Sequence, residues 1–225
     1  MYIDITNEVL EKHPQTIMGL MTVYGTHTPA DITAWNTIKE KEIALFRTSW
    51  PDYDRNQAVK ILPLSGYAAY YKQFKKTYPV LLQMESVLLK GRDIMSSSLA
   101  VEIMFLAEVK HGLLVAGHNL NKLSSDSYTV RLAQGGEELT NVSGQKRILK
   151  ADDIFLENGG KILSSILEGQ DYDTRLTDES QDALYCVYGV GGVTNEQMTA
   201  FFQTLTLYIK TAFPQAIIHD STLAP

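Results

Sequence analysis

Leu99-Ala100-Val101-Glu102-Ile103-Met104-Phe105-Leu106-Ala107-Glu108-Val109-Lys110-His111-Gly112-Leu113-Leu114-Val115 is the stretch on which the fold turns. From Leu99 to Lys110 the apolar residues fall on nearly every side of a helical wheel, which predicts a helix buried in the interior rather than one lying on the surface. Ser96 to Ser98 offer hydroxyl caps at its start, and His111-Gly112 ends it. Beyond Gly112 the apolar period shortens to that of a strand. The chain before this point therefore reads mainly as helices, and the chain after it mainly as strands.

Working upstream, Pro79 opens a helix carrying Leu81, Met84, Val87 and Leu88 and stopped by Gly91. Ser65 to Phe74 sets Tyr67, Tyr70, Tyr71 and Phe74 on one helical face, an aromatic stripe suited to core packing. Pro51 and Pro63 bracket a shorter element, and Trp35, Ile38, Ile43 and Phe46 predict a helix from about Asp31 to about Thr48. Thr16 to Tyr24 is β-rich and ends at Gly25. Working downstream, strands are predicted at Leu113 to Val115, Ser127 to Leu132, Ile148 to Phe155, Lys161 to Leu167 and Ala183 to Tyr188. Gly135-Gly136, Ser143-Gly144 and Asn158-Gly159-Gly160 supply turns between them. Thr194-Asn195-Glu196-Gln197 is a capping box for a last helix, whose stripe runs through Met198, Phe201, Leu205, Ile209 and Phe213 to Pro214. Helices, then strands, then a helix make an α+β layered fold, with a mixed, mostly antiparallel sheet core packed by helices. With no internal repeat and no Pro, Gly or Ser-rich linker, residues 1–225 are expected to form a single domain.

The 225 residues carry a formal charge of -6, which argues against a protein that grips nucleic acid through bulk electrostatics. Two local basic groups stand out: Lys72, Lys75 and Lys76, followed by Lys90 and Arg92; and Lys146, Arg147 and Lys150. Each reads either as a solvated face or as part of a basic patch. The single cysteine, Cys186, excludes an internal disulfide framework and fits a reducing compartment, so a cytoplasmic protein is expected. No apolar run reaches the ~20 residues that span a bilayer, and Met1-Tyr2-Ile3-Asp4 lacks the pattern of a signal peptide.

Phosphate-loop, nucleophile-elbow and His-Glu-x-x-His signatures are absent, and the five histidines are nowhere at metal-ligand spacing, so neither metal nor cofactor is expected. Gly189-Val190-Gly191-Gly192 reads as a strand-to-helix turn. Gly117-His118-Asn119 reads as a turn after a strand, with His118 exposed, and Cys186 as a buried thiol within Leu184 to Tyr188. The polar segment from Glu168 to Thr177 leaves an apolar strand abruptly and packs donors and acceptors into a compact loop, so it is the foremost site candidate.

An ordered series of pieces then suggests a family. Val101-Glu102-Ile103 through Lys110, Gly112, Ala116, Asn119-Leu120 and Lys122-Leu123 leads into Thr129-Val130-Arg131-Leu132-Ala133 and Gly135-Gly136-Glu137-Glu138-Leu139. Ile148 to Asp153, Ile162-Leu163, and the loop Gly169-Gln170-Asp171 with Thr174 and Thr177 follow. The series resembles the B3/B4 tRNA-editing module of the phenylalanyl-tRNA synthetase β subunit in its stand-alone bacterial form. It covers residues 65–213 as an editing-domain-like core, with a looser strand and helix part at 1–64 and a strand or tail at 214–225. In the synthetase the module hydrolyses mischarged tyrosyl-tRNA.

The resemblance implies a trans-acting deacylase of mischarged aminoacyl-tRNA, with transient tRNA binding. The alternative is a non-catalytic module for a small amino-acid-like ligand or a tRNA end. The family's editing histidine falls on Ala116 and its tyrosine-recognising glutamate on Cys186, while the usual Asp and Asn of the buried helix become Glu102 and Phe105. The glycine loop is retained at Gly169. An aminoacyl ester is already activated by its neighbouring ribose hydroxyl, so a pocket that orients water and stabilises an oxyanion suffices for hydrolysis. Gln170, Asp171 and Thr174 are the expected catalytic groups, and Gly169, Ala116, His118, Cys186 and Glu102 the expected substrate-binding ones.

Overall fold

The computed structural model describes residues 1–224 and begins with β1 (Tyr2–Ile5), α1 (Asn7–Lys12) and β2 (Ile17–Tyr24). The helical run comprises α2 (Thr33–Ser49), α3 (Arg55–Ala58), α4 (Leu64–Gln73), α5 (Pro79–Leu88) and α6 (Leu99–His111). Then come β3 (Leu114–Asn119), a 3-10 turn (Leu120–Lys122), β4 (Ser127–Leu132), β5 (Glu138–Thr140), β6 (Lys146–Ile148), β7 (Ile154–Asn158), β8 (Lys161–Ser165), β9 (Gly169–Gln170) and β10 (Asp182–Gly189). The last elements are α7 (Asn195–Ala212) and β11 (Ile217–Ala224).

The strands build one sheet in the order β1-β4-β7-β8-β9, a second in the order β11-β2-β10-β3, and a β5-β6 hairpin. The fold is α+β. Among the described strand pairs β1–β4 is parallel and the others are antiparallel. The second sheet lies between helices and the first sheet. On its helical side, Tyr185 donates to the Ala100 carbonyl of α6 at 3.2 Å, and a Cβ at Gly19 of β2 would stand 2.5 Å from the Phe202 ring of α7. Glycine in mid-strand thus lets α7 settle closely on the sheet.

Helix α6 is buried as its pattern predicts, with Ile103, Met104, Leu106, Ala107 and Val109 almost wholly covered. Gly112 ends it in the left-handed region (φ 66°), and its N–H donates to the Glu108 carbonyl at 2.7 Å. Ser98 occupies the N-cap position but does not cap. Its hydroxyl donates instead to the Thr177 carbonyl at 3.2 Å, tying the helix start to the polar segment. The capping box of α7 is complete in both directions, Gln197 N to Thr194 Oγ1 at 3.2 Å and Thr194 N to Gln197 Oε1 at 3.0 Å.

The tyrosine stripe of α4 is buried, and its hydroxyls join that helix to both sheets. Tyr67 donates to the Tyr188 carbonyl of β10, and Tyr71 to the Ile166 carbonyl beyond β8. Tyr70 donates to Asp153 Oδ1 at 2.9 Å and accepts from the Ile154 N–H at 2.7 Å. A phenol that buries its ring and spends its hydroxyl on a backbone acceptor satisfies both halves of its chemistry.

Two sequence expectations are corrected. The predicted strand from Ile148 to Phe155 is divided into β6 and β7, because Asp152 takes a left-handed conformation (φ 73°) between them, its N–H donating to the Ala133 carbonyl at 2.8 Å while the Ala133 N–H donates to the Asp153 carbonyl at 2.8 Å. Gly117-His118-Asn119 is the second half of β3, not a turn, and His118 is fully buried. Pairing with β10 along the whole of β3 outweighs the turn propensity of Gly-His-Asn, and the glycine is needed for space, since a Cβ at Gly117 would lie 2.6 Å from Leu176.

Candidate functional site

The two sheets meet face to face, and at one end they leave a cavity of about 280 Å³. Its floor is the β3 segment Leu114, Val115 and Ala116, its far wall Tyr188 of β10, and its near wall the turn from Ser165 to Gln170 joining β8 to β9. Tyr71 of α4 and Phe105 and Glu108 of α6 close the remaining sides. The lining is mainly apolar with a few polar groups, the usual character of a small-molecule site, and its size suits an amino-acid-sized group. A more polar hollow of about 430 Å³ lies beside Tyr24, Asp126, Tyr128 and His219. None of the candidate site residues expected from the sequence lines that hollow.

Three sequence-predicted residues share the smaller cavity: Ala116, Gly169 and Gln170. Gly169 sits at φ 80°, a conformation that favours glycine, and this turns the chain from β8 into the edge strand β9. Side chains alternate along an extended strand, so with Gln170 at the cavity Asp171 points the opposite way. There Asp171 is buried, accepting from the Thr174 N–H at 3.0 Å and pairing with Lys161 Nζ at 3.0 Å.

Thr174 is buried too, its hydroxyl 3.0 Å from His118 Nδ1, while His118 Nε2 lies 3.3 Å from Ser164 Oγ. Ser164 Oγ in turn is 2.7 Å from the Tyr188 hydroxyl. Burial holds the His118 imidazole neutral, down to about 4. Asp171, Thr174 and His118 thus lie outside the cavity lining and fasten the β9 loop to β3. Cys186 pairs with Ala116 across β10 and β3 on the same face, but it is wholly buried behind the lining, and burial pushes its thiol up. Glu102 lies elsewhere on α6, accepting from Trp35 Nε1 at 2.7 Å and Lys39 Nζ at 2.9 Å.

Sequence reasoning passed over Glu108. It is 2% exposed, lines the cavity, and accepts from the Val115 N–H at 3.1 Å. Burial drives its carboxyl up to about 8, against the pull of that N–H and of the Gln83 side chain. A second acid in an otherwise apolar helix was the signal available in the sequence.

One residue from each of the two basic groups reaches the cavity lining. Glu168, on the lining, pairs with Lys76 and lies 3.9 Å from Arg147 Nε. Lys150 Nζ donates to the Phe74 carbonyl at 3.3 Å, next to a groove of about 450 Å³ bordered by Lys75, Lys150 and Asp152. Lys90 and Arg92 do not line this groove. Among the described residues no group of three or more His, Cys, Asp or Glu side chains is placed to hold a metal ion, and no helix is long and apolar enough to cross a membrane.

No family model matches the sequence, and no curated protein does. In structure the chain is similar to an N-terminal fragment of the phenylalanyl-tRNA synthetase β-subunit from Pyrococcus horikoshii, with a TM-score of 0.52 and 9% identity. The match covers 100% of this chain and 54% of the fragment, so the chain spans about half the length of that relative. At this identity the likeness is one of fold.

Proposed function

We propose that this chain binds a small amino-acid-like group, the aminoacyl end of a tRNA, in the cavity between β3 and the β8–β9 turn, as a relative of the B3/B4 module. One observation carries the reading: Ala116 and the distant pair Gly169-Gln170 share one apolar cavity whose rim acid is held by Lys76 and Arg147. The cavity is sized for the acyl group, and Lys75, Arg147 and Lys150 offer charge to the phosphates that follow it. The similarity in fold to a phenylalanyl-tRNA synthetase β-subunit fragment supports the same class of ligand.

Hydrolysis of the ester in trans is the active form of this proposal, with Gln170 as the side-chain donor nearest a bound acyl group. Asp171, Thr174 and His118 act in it as positioning residues, holding the loop against β3 through the contacts described above. Binding without turnover is favoured by a specific feature: the ionisable groups on the lining offer no free base. Glu168 is engaged by two cations, and Glu108, raised to about 8, holds its proton at neutral pH.

The test combines a thermal-shift screen of amino acid esters with a deacylation screen over mischarged tRNAs, using wild type, Gln170→Ala and Ala116→Leu. Ala116→Leu fills the cavity floor and is expected to abolish the ligand-dependent shift while the protein stays folded. Equal shifts in wild type and Ala116→Leu would remove this cavity from the function. Deacylation by wild type that is lost in Gln170→Ala selects the hydrolytic form, and shifts without deacylation select the binding form.

A further inference from the structure

Of the two acids on the cavity lining, Glu168 has cationic partners and Glu108 has none among the ion pairs of the described residues. Glu108 reaches the lining from α6, and one oxygen is held by the Val115 N–H at the cavity floor. The titratable groups that act on it electrostatically are the Tyr67 and Tyr71 phenols of α4 and that of Tyr78, just before α5. All three are held neutral by burial, and the neighbouring Gln83 is uncharged. A buried carboxyl facing an apolar cavity without a protein cation is matched by a ligand that brings its own.

We propose that Glu108 anchors the ammonium group of the ligand, so that the cavity selects small cations with an apolar body, as an α-amino ester has. The inference rests on the reading of the cavity as the binding site and names the chemistry that site recognises. The apolar arm lies against Tyr71, Phe105 and Tyr188, and the ammonium meets the carboxylate near Val115. At neutral pH the empty site holds a proton on Glu108, which is driven up to about 8 by burial. Binding an ammonium therefore releases that proton to solvent. For an amine that stays cationic over this range, apparent affinity then rises about tenfold per pH unit from pH 6 and levels off near the pKa of the carboxyl.

The experiment uses 2-phenylethylamine, an alkylamine that stays cationic to about pH 9, and 2-phenylethanol, its neutral counterpart. Calorimetric titration of the full chain at pH 8 is expected to show the amine binding about tenfold or more tighter than the alcohol. Glu108→Gln, which keeps the acceptor for Val115, is expected to erase that preference. In wild type alone, titration at pH 7 in two buffers of different ionisation enthalpy is expected to reveal close to one proton released per amine bound, a readout independent of any variant. Equal binding of amine and alcohol, without proton release, would overturn the role of Glu108 while leaving the cavity as the site. Absence of binding by either probe, together with no ester-dependent shift, would overturn both.

Discussion

Replacing Glu108 by glutamine removes one titrating proton from the interior without changing the shape of the side chain, and its effect on stability has a definite sign. In the folded protein burial moves this carboxyl from an ordinary 4.5 to about 8. Between those values the unfolded chain has already released the proton that the folded chain retains. Stability from this group is therefore complete below about pH 4.5 and is lost as pH rises through about 8, a full span of about 5 kcal/mol. His111 and His118, held down to about 4 by burial, act in the opposite direction, with most of their effect below their ordinary 6.5. Asp153, pushed up to about 7 by burial, adds a smaller loss of the same sign as Glu108. Between pH 6.5 and 8 wild type is expected to lose about 2 kcal/mol and Glu108→Gln less than about 1 kcal/mol. Urea unfolding followed by the fluorescence of Trp35 and Trp50 measures both slopes. Parallel pH dependence in the two proteins would show that Glu108 is ionised in the folded state and that the argument from burial is mistaken.

Three further outcomes follow from the geometry. Asp171→Ala leaves the buried Thr174 N–H without its acceptor and is expected to cost about 2 kcal/mol by thermal or urea denaturation; unaltered stability with weakened binding would place Asp171 at the ligand. Thr194→Ala removes one arm of the α7 capping box and is expected to lower stability by about 1 kcal/mol, read from the urea midpoint, whereas no shift would mean that the helix end is held by other contacts. Cys186 is wholly buried with a raised thiol, so a thiol reagent is expected to label it only as fast as the protein unfolds; rapid stoichiometric labelling of the folded protein would contradict its place between the sheets.

Much of the architecture was legible because the relevant signals are local. The all-round apolar run from Leu99, Gly112 after it, and the Thr194 to Gln197 capping box each act within a few residues, and each appears where the pattern puts it. The errors fall where long-range pairing overrides propensity. Gly117-His118-Asn119 has turn-forming residues, yet β10 pairs with it to the end of β3. The candidate site was legible only in part. The polar loop after β8 was visible from composition, but strand alternation, once β9 had formed, divided it, sending Gln170 to the cavity and Asp171 into a buried pair with Lys161.

The sequence alone determined the order of helices and strands and the buried character of α6, because backbone propensity, capping and hydrophobic period depend on near neighbours. Only the tertiary structure decided which polar groups face the cavity and which are spent holding the loop. It also brought Lys76 and Arg147 to one glutamate and set Glu108 in the cavity wall without a cation. Those outcomes depend on how the sheets and helices come together, and burial, which sets the cost and protonation of every charge, exists only once they have done so.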